Sequence, residues 1–225
     1  MNPALVLAAG VLVLAVAGCA NSPEPNKYQF LASSPQLTRN GGSEPRQTPY
    51  AFQAEGAPLS RFSGVHLLPV SIYDGADHQF GPLSAEDKAR LAAFAQQQFR
   101  EALARNGLLA EAPGPGVVEL KVTLTGAQAS VPVLATASKL TPVGFALTGV
   151  NAVTGAEGRF NGVVMYAVEF RDAPSRQIVW AYVTKQFPNA MNIAATLDPL
   201  DAARDGLKQG AEDLAKAAAG RMKAG

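Results

Sequence analysis

The alternation of apolar and polar side chains is strictest at residues 118–125, where Val118, Leu120, Val122 and Leu124 point one way and Glu119, Lys121, Thr123 and Thr125 the other. A period of two belongs to a strand with one buried and one solvated face. Residues 65–73 instead carry apolar side chains on both faces, with Val65 and Leu67 on one and Leu68, Val70 and Ile72 on the other, as a largely buried strand does. Pro69 has no N–H to donate to a ladder, so this strand must run along an edge or be bulged there.

Between these two segments the period lengthens. Ser84 is a good N-cap with Asp87 three residues on, and Leu91, Phe94, Ala95, Phe99, Ala102 and Leu103 recur on one face, while Lys88, Arg90, Gln97 and Arg100 fill the other. Arg105-Asn106-Gly107 supplies a base for the last turn and a glycine to end it. Residues 159–171 and 177–187 read as two strands joined by the turn-forming run Asp172-Ala173-Pro174-Ser175, a β-hairpin. Val164, Tyr166, Val168 and Phe170 share one face of its first strand, and Ile178, Trp180 and Tyr182 one face of its second; this aromatic row reads as sheet core beneath a helix rather than a ligand cleft.

A second helix opens with Asp198-Pro199 and runs to about Lys223, with Leu200, Ala203, Leu207, Ala211, Leu214 and Ala218 as its apolar stripe. Its acids, Asp201, Asp205, Glu212 and Asp213, come before its bases, Lys216, Arg221 and Lys223, as the helix dipole prefers. Gly206 and Gly210 sit one turn apart and allow close packing against another element. Residues 131–158 show no sustained period and one charge, Lys139, before Glu157; a buried loop with a short helix, a membrane-inserting segment and an oligomer contact all suit them. The expected fold is therefore α+β, in the order β-α-β-irregular-β-β-α: a three- to four-stranded sheet covered by two helices.

The start of the chain departs from this pattern. Residues 4–17 are uncharged and end in Val16-Ala17-Gly18-Cys19, which contains the single cysteine. A run of that length is too short for a membrane span, which needs roughly 20 residues, and a small-residue cleavage site placed directly before a cysteine is the lipobox of a bacterial lipoprotein signal peptide. The expectation is signal peptide at 1–18, cleavage after Gly18, and lipid attachment at Cys19. From there to residue 60 the prolines Pro23, Pro25, Pro35, Pro45, Pro49 and Pro58 interrupt any helix, and Gly41-Gly42 adds a joint. Residues 19–60 therefore read as a tether and 61–225 as a single domain. Two apolar islands in the tether, Phe30-Leu31 and Tyr50-Ala51-Phe52, exceed what a solvated spacer needs and suggest that part of it packs back on the domain.

Composition narrows the chemistry. The formal net charge of +1 lacks the electrostatic footprint of a nucleic-acid binder. A single cysteine leaves no disulfide, so an exported chain must fold on its apolar core. There is no His-Glu-x-x-His, no phosphate-loop glycine pattern and no Gly-x-Ser-x-Gly elbow, so metal hydrolysis, nucleotide binding and α/β-hydrolase chemistry lack their usual parts. The nearest thing to a metal-binding cluster is Asp74, Asp77 and His78; acids in a glycine-containing loop more often serve turns and solvation, and no metal, cofactor or catalytic residue is assigned.

Several short features in fixed order also resemble the proteobacterial lipoproteins grouped as domain of unknown function 3313. They are Phe30-Leu31 and Leu37 near the start, Leu68-Pro69-Val70 on the first strand, Leu83-Ser84 at the opening of the long helix, and the strand–Asp172–strand unit before the last helix. Ser33-Ser34 stand where that family tends to have an Asp-Tyr pair. The resemblance implies an outer-membrane lipoprotein facing the periplasm and brings no activity with it. The expected role is a non-enzymatic binding or assembly module with a protein partner in the envelope and a membrane contact through Cys19. The alternative is a homo-oligomeric subunit of a transport or secretion assembly that uses residues 131–158 for its contacts.

Overall fold

The computed structural model describes residues 23–41, 47–128, 162–187 and 198–224. Within them the strands are β1 (Thr38–Arg39), β2 (Tyr50–Gln53), β3 (Gly64–Leu67), β4 (Ser71–Ile72), β5 (Val117–Gln128), β6 (Val163–Asp172) and β7 (Ile178–Gln186). The helices are α1 (Ala85–Arg105) and α2 (Asp201–Lys223), with one 3-10 turn at Leu59–Arg61.

All seven strands form one sheet in the order β1-β2-β7-β6-β5-β3, with β4 also paired to β5. This corrects the expected three or four strands, for two physical reasons. Pro69 interrupts the strand expected at 65–73, leaving β3 and β4 to run one after the other, both parallel to β5 at an edge. At the opposite edge, Tyr50-Ala51-Phe52 of the expected tether extends the sheet by pairing antiparallel to β7, from Tyr50 opposite Val183 to Gln53 opposite Trp180. The mixed α+β class, the two helices and the order of the principal elements are as the periodicity indicates.

Both helices cover the same face of the sheet. Leu91, Ala95, Phe99 and Leu103 of α1 and Leu207, Ala211, Leu214 and Ala218 of α2 join Val118, Leu120, Val122 and Leu124 of β5 in the main core. The aromatic row lies there too: Phe99 meets Tyr166 edge-on at 5.6 Å, and Phe170 stacks on Trp180 at 5.1 Å. Ser84 caps α1 by accepting the Asp87 N–H at 3.0 Å while its hydroxyl donates to the Asp87 carboxylate. The first turn of α2 begins later than Pro199. The 198–200 segment is a turn in which the Asp198 carboxylate accepts from the Leu200 N–H and from Arg204, each at 2.9 Å, and these bonds hold its pKa below the usual carboxylate value.

Gly206 and Gly210 bring α2 down onto β6 and β7. A Cβ at 206 would approach Val164 to 3.1 Å and the Gln186 carbonyl oxygen to 3.2 Å, and one at 210 would collide with the Tyr166 hydroxyl. The close helix approach suggested by their spacing is thus made to the sheet.

Candidate functional site

The alternation that places Leu120 and Leu124 beneath the helices sends polar side chains to the other face: Thr123 and Thr125 of β5, Glu169 of β6 and Lys185 of β7. A solvated face is the natural expectation for them, yet Thr125, Glu169 and Lys185 are at most 3% exposed. The cover is the N-terminal segment. Tyr28, Leu31 and Leu37 pack with Tyr73, Ala167, Ile178, Ala181 and Val183 in a second, smaller core flanked by Tyr50 and Phe52. Of residues 19–60, read from proline content as a tether, 23–41 and 47–60 therefore contribute to the fold, and the two apolar islands mark where they do so.

The segment is held by a clasp built on the 73–79 loop. Tyr73 donates its hydroxyl to Asp77 Oδ1 at 2.7 Å and accepts the Phe30 N–H at 3.1 Å. Asp77 Oδ2 accepts the Gln29 N–H at 3.1 Å, and the Asp77 carbonyl accepts from the Asn26 side chain at 2.9 Å. Gln79 completes the clasp: its Oε1 accepts from the Asn26 N–H at 2.8 Å and from the Tyr28 hydroxyl at 2.6 Å, and its Nε2 donates to the Glu24 carbonyl at 3.0 Å. The Tyr28 and Tyr73 rings meet edge-on at 5.2 Å. Further along, the Ser33 N–H donates to Glu169 Oε1 at 2.6 Å, so a carboxylate buried in the sheet fixes the backbone crossing over it.

Burial pushes the Tyr28 phenol far above its ordinary pKa, and burial also raises that of Tyr73. Both remain protonated donors throughout the neutral range. Tyr28 sits at φ +54°, a left-handed conformation unusual for a bulky side chain. It lies beside a turn in which the Leu31 N–H bonds back to the Tyr28 carbonyl at 3.2 Å, with the side chains of Tyr28 and Leu31 buried and that of Phe30 exposed.

Of the loop residues singled out for metal-like spacing, the fold separates Asp77 from the other two. Asp74 and His78 are exposed, whereas the Asp77 carboxylate is occupied by Tyr73 and Gln29. Among the described residues no group of three or more His, Cys, Asp or Glu side chains is placed to hold a metal ion. The arrangement is therefore one of hydrogen-bond donors and acceptors that fix a segment of chain. Cys19 and residues 131–158 lie outside the described residues.

Periodicity did not single out Tyr28, Ser33, Gln79 or Glu169. One signal was present for Glu169, which is the lone charge in the apolar run from Val163 to Phe170; a carboxylate there requires a donor opposite it. Ser33 and Ser34 are both buried on this crossing segment.

Among solved structures the chain is similar to PelC from Paraburkholderia phytofirmans, solved as a dodecamer, at 12% identity and a TM-score of 0.37, over 73% of this chain and 95% of that one. It is also similar to a protein assigned as a lipoprotein from Caulobacter crescentus CB15, at 11% identity and a TM-score of 0.37, over 75% and 95% of the two chains. A homolog of a neuraminyllactose-binding hemagglutinin from Helicobacter pylori follows at 10% identity and 0.32, over 84% and 92%. Likenesses this distant carry no argument about function. No curated protein matches the sequence. The family model described as protein of unknown function (DUF3313) matches residues 27–214, a stretch that takes in most of the clasp, the whole sheet and most of α2, and the chain belongs to that family.

Proposed function

We propose that this protein is a non-enzymatic lipoprotein of the cell envelope, acylated at Cys19 after cleavage behind Gly18, anchored in the outer membrane and facing the periplasm, where its α+β domain binds a protein partner. The observation that carries this reading is the position at which the chain becomes part of the fold. Pro25 is buried and Asn26 is bonded to the 73–79 loop, so few residues separate the lipobox cysteine from the domain. Several acyl chains at about 0.8 kcal/mol per buried methylene would make such attachment effectively permanent. No helix among the described residues is long and apolar enough to cross a membrane.

The polar side chains of the 73–79 loop also support a binding role over catalysis, since Tyr73, Asp77 and Gln79 spend their hydrogen bonds on fixing the N-terminal segment. The test is Cys19→Ser: the variant should fold unchanged and move from the membrane fraction to the soluble periplasmic fraction. Retention of the variant in the membrane fraction, or a wild-type mature mass without acyl chains, would contradict the anchor. Sorting to the inner membrane on fractionation would contradict the outer-membrane assignment. Crosslinking in intact cells would then identify the partner.

A further inference from the structure

Two large apolar side chains stand out as exposed among the described residues, Phe30 at 74% and Ile72 at 37%. Both are tied to Tyr73: Ile72 precedes it, and the Phe30 N–H donates to its hydroxyl at 3.1 Å. Phe30 is displayed, not loose. Its neighbours Leu31 and Tyr28 are buried, the Gln29 and Phe30 amides are both bonded, and the left-handed Tyr28 sets the turn that leaves the ring in solvent.

We infer that the end of the sheet bearing the 73–79 loop rests on the lipid bilayer, with the Phe30 ring seated in the interfacial layer. The inference rests on the proposed Cys19 anchor and adds an orientation to it. Six peptide steps separate Cys19 from the buried Pro25, and at about 3.3–3.6 Å per residue they span at most roughly 20 Å. The polar layer of one leaflet is itself about 5–8 Å thick, so even a fully extended leash keeps the 24–30 segment within about 15 Å of the headgroups. The same loop that receives Glu24, through Gln79, holds the backbone of Phe30, through Tyr73. The opposite end of the sheet lies a full strand away, since the twelve residues of β5 extend about 40 Å.

Charge at this corner is mixed: Lys27, Asp74 and the Glu24–Arg39 pair offer no excess of positive charge to seek an anionic surface. The matching occupant is therefore a zwitterionic bilayer, into which an aromatic ring partitions at the boundary of headgroups and acyl chains.

The test uses the full-length acylated protein in phosphatidylethanolamine–phosphatidylcholine vesicles. The Cys19 sulfur is blocked by its thioether, so Phe30→Cys provides one free thiol for a nitroxide label, and Ala112→Cys, exposed before β5 at the far end, provides the reference. The ratio of collisions with molecular oxygen to collisions with a water-soluble nickel chelate should be severalfold higher at position 30 than at position 112. Equal ratios on protein that is acylated and floats with the vesicles would overturn the orientation and leave the anchor standing. A Cys19 without acyl chains, on protein that does not float, would overturn both.

Discussion

The two faces of the sheet are covered in different ways. On one, α1 and α2 bury Leu120, Leu124, Phe99, Phe170 and Leu207 in a continuous apolar core. On the other, a segment with little regular structure lies over Thr125, Met165, Ala167 and Glu169, and it is held by hydrogen bonds from Asn26, Tyr28, Gln29, Phe30 and Ser33 as much as by Leu31 and Leu37. Apolar burial is non-directional and scales with area, so the helical face supplies the stability of the fold. Hydrogen bonds contribute little net energy each but fix geometry, so the segment's face determines where residues 23–41 run. The first face keeps the domain folded; the second fixes its position relative to Cys19.

Substitutions on the helical face should therefore have the larger effects on global unfolding. Phe99→Ala removes a ring packed on Tyr166 and should cost about 3–5 kcal/mol in denaturant-induced unfolding. Gly210→Ala forces a methyl against the Tyr166 hydroxyl and should cost about 1–3 kcal/mol, with Tyr166→Phe in the same chain restoring part of the loss because the colliding oxygen is gone. A cost that Tyr166→Phe leaves untouched would point to the other close neighbour of that methyl, the Gln186 side chain, because helix propensity and chain entropy both favour alanine over glycine.

On the other face, Asp77→Asn keeps the shape of the side chain and removes the charge that accepts from Tyr73 and Gln29. It should weaken docking of the segment by about 1–3 kcal/mol, seen as faster proteolysis between residues 23 and 41, with global unfolding changed much less. Equal changes in both measurements would show that the two faces unfold as one unit and would dissolve the distinction.

Alkaline pH acts on the same clasp. The folded pKa values of Tyr28 and Tyr73 are raised, chiefly by burial, so the folded protein holds these protons more tightly than the unfolded chain does. Their contribution is complete below about pH 10, the ordinary tyrosine value, and falls as pH rises through the folded values. Tyr166 and Tyr182 are raised by burial as well, so stability should drop above about pH 10, and Tyr28→Phe should make the drop shallower. The smallest effect is expected from the surface: Arg105→Ala breaks the solvent-screened pair with Glu212 that links α1 to α2 and should leave the unfolding midpoint almost unchanged.

The contrast between the faces also explains what the sequence could disclose. The helical face is written in periods of 3.6 and 2, so α1, β5, the β6–β7 hairpin and the stripe of α2 are all legible from Leu and Val spacing. The clasp has no period. It is made of single side chains from residues 26, 28, 73, 77 and 79, distant in sequence and brought together only by tertiary structure. Even the exposed look of Thr123 and Thr125 misleads, because alternation tells which side chains avoid the helices and not what covers them. Pro69 was informative about the edge, whereas the prolines of residues 23–60 exclude helix but are compatible with extended chain laid on a sheet. Hence the Phe30-Leu31 and Tyr50-Ala51-Phe52 islands predicted packing better than proline content predicted a tether.

Amide hydrogen exchange at Gln29, Phe30 and Ser33 tests the docked segment most directly, because each of these N–H groups donates to a side chain of the folded domain. The account predicts exchange slowed about a hundredfold or more relative to an unstructured peptide, equivalent to a local opening free energy of about 2.7 kcal/mol or more, and faster exchange in Asp77→Asn at Gln29 and Phe30. Exchange at the unstructured rate in the wild-type protein would contradict it, returning residues 23–41 to the status of a free tether.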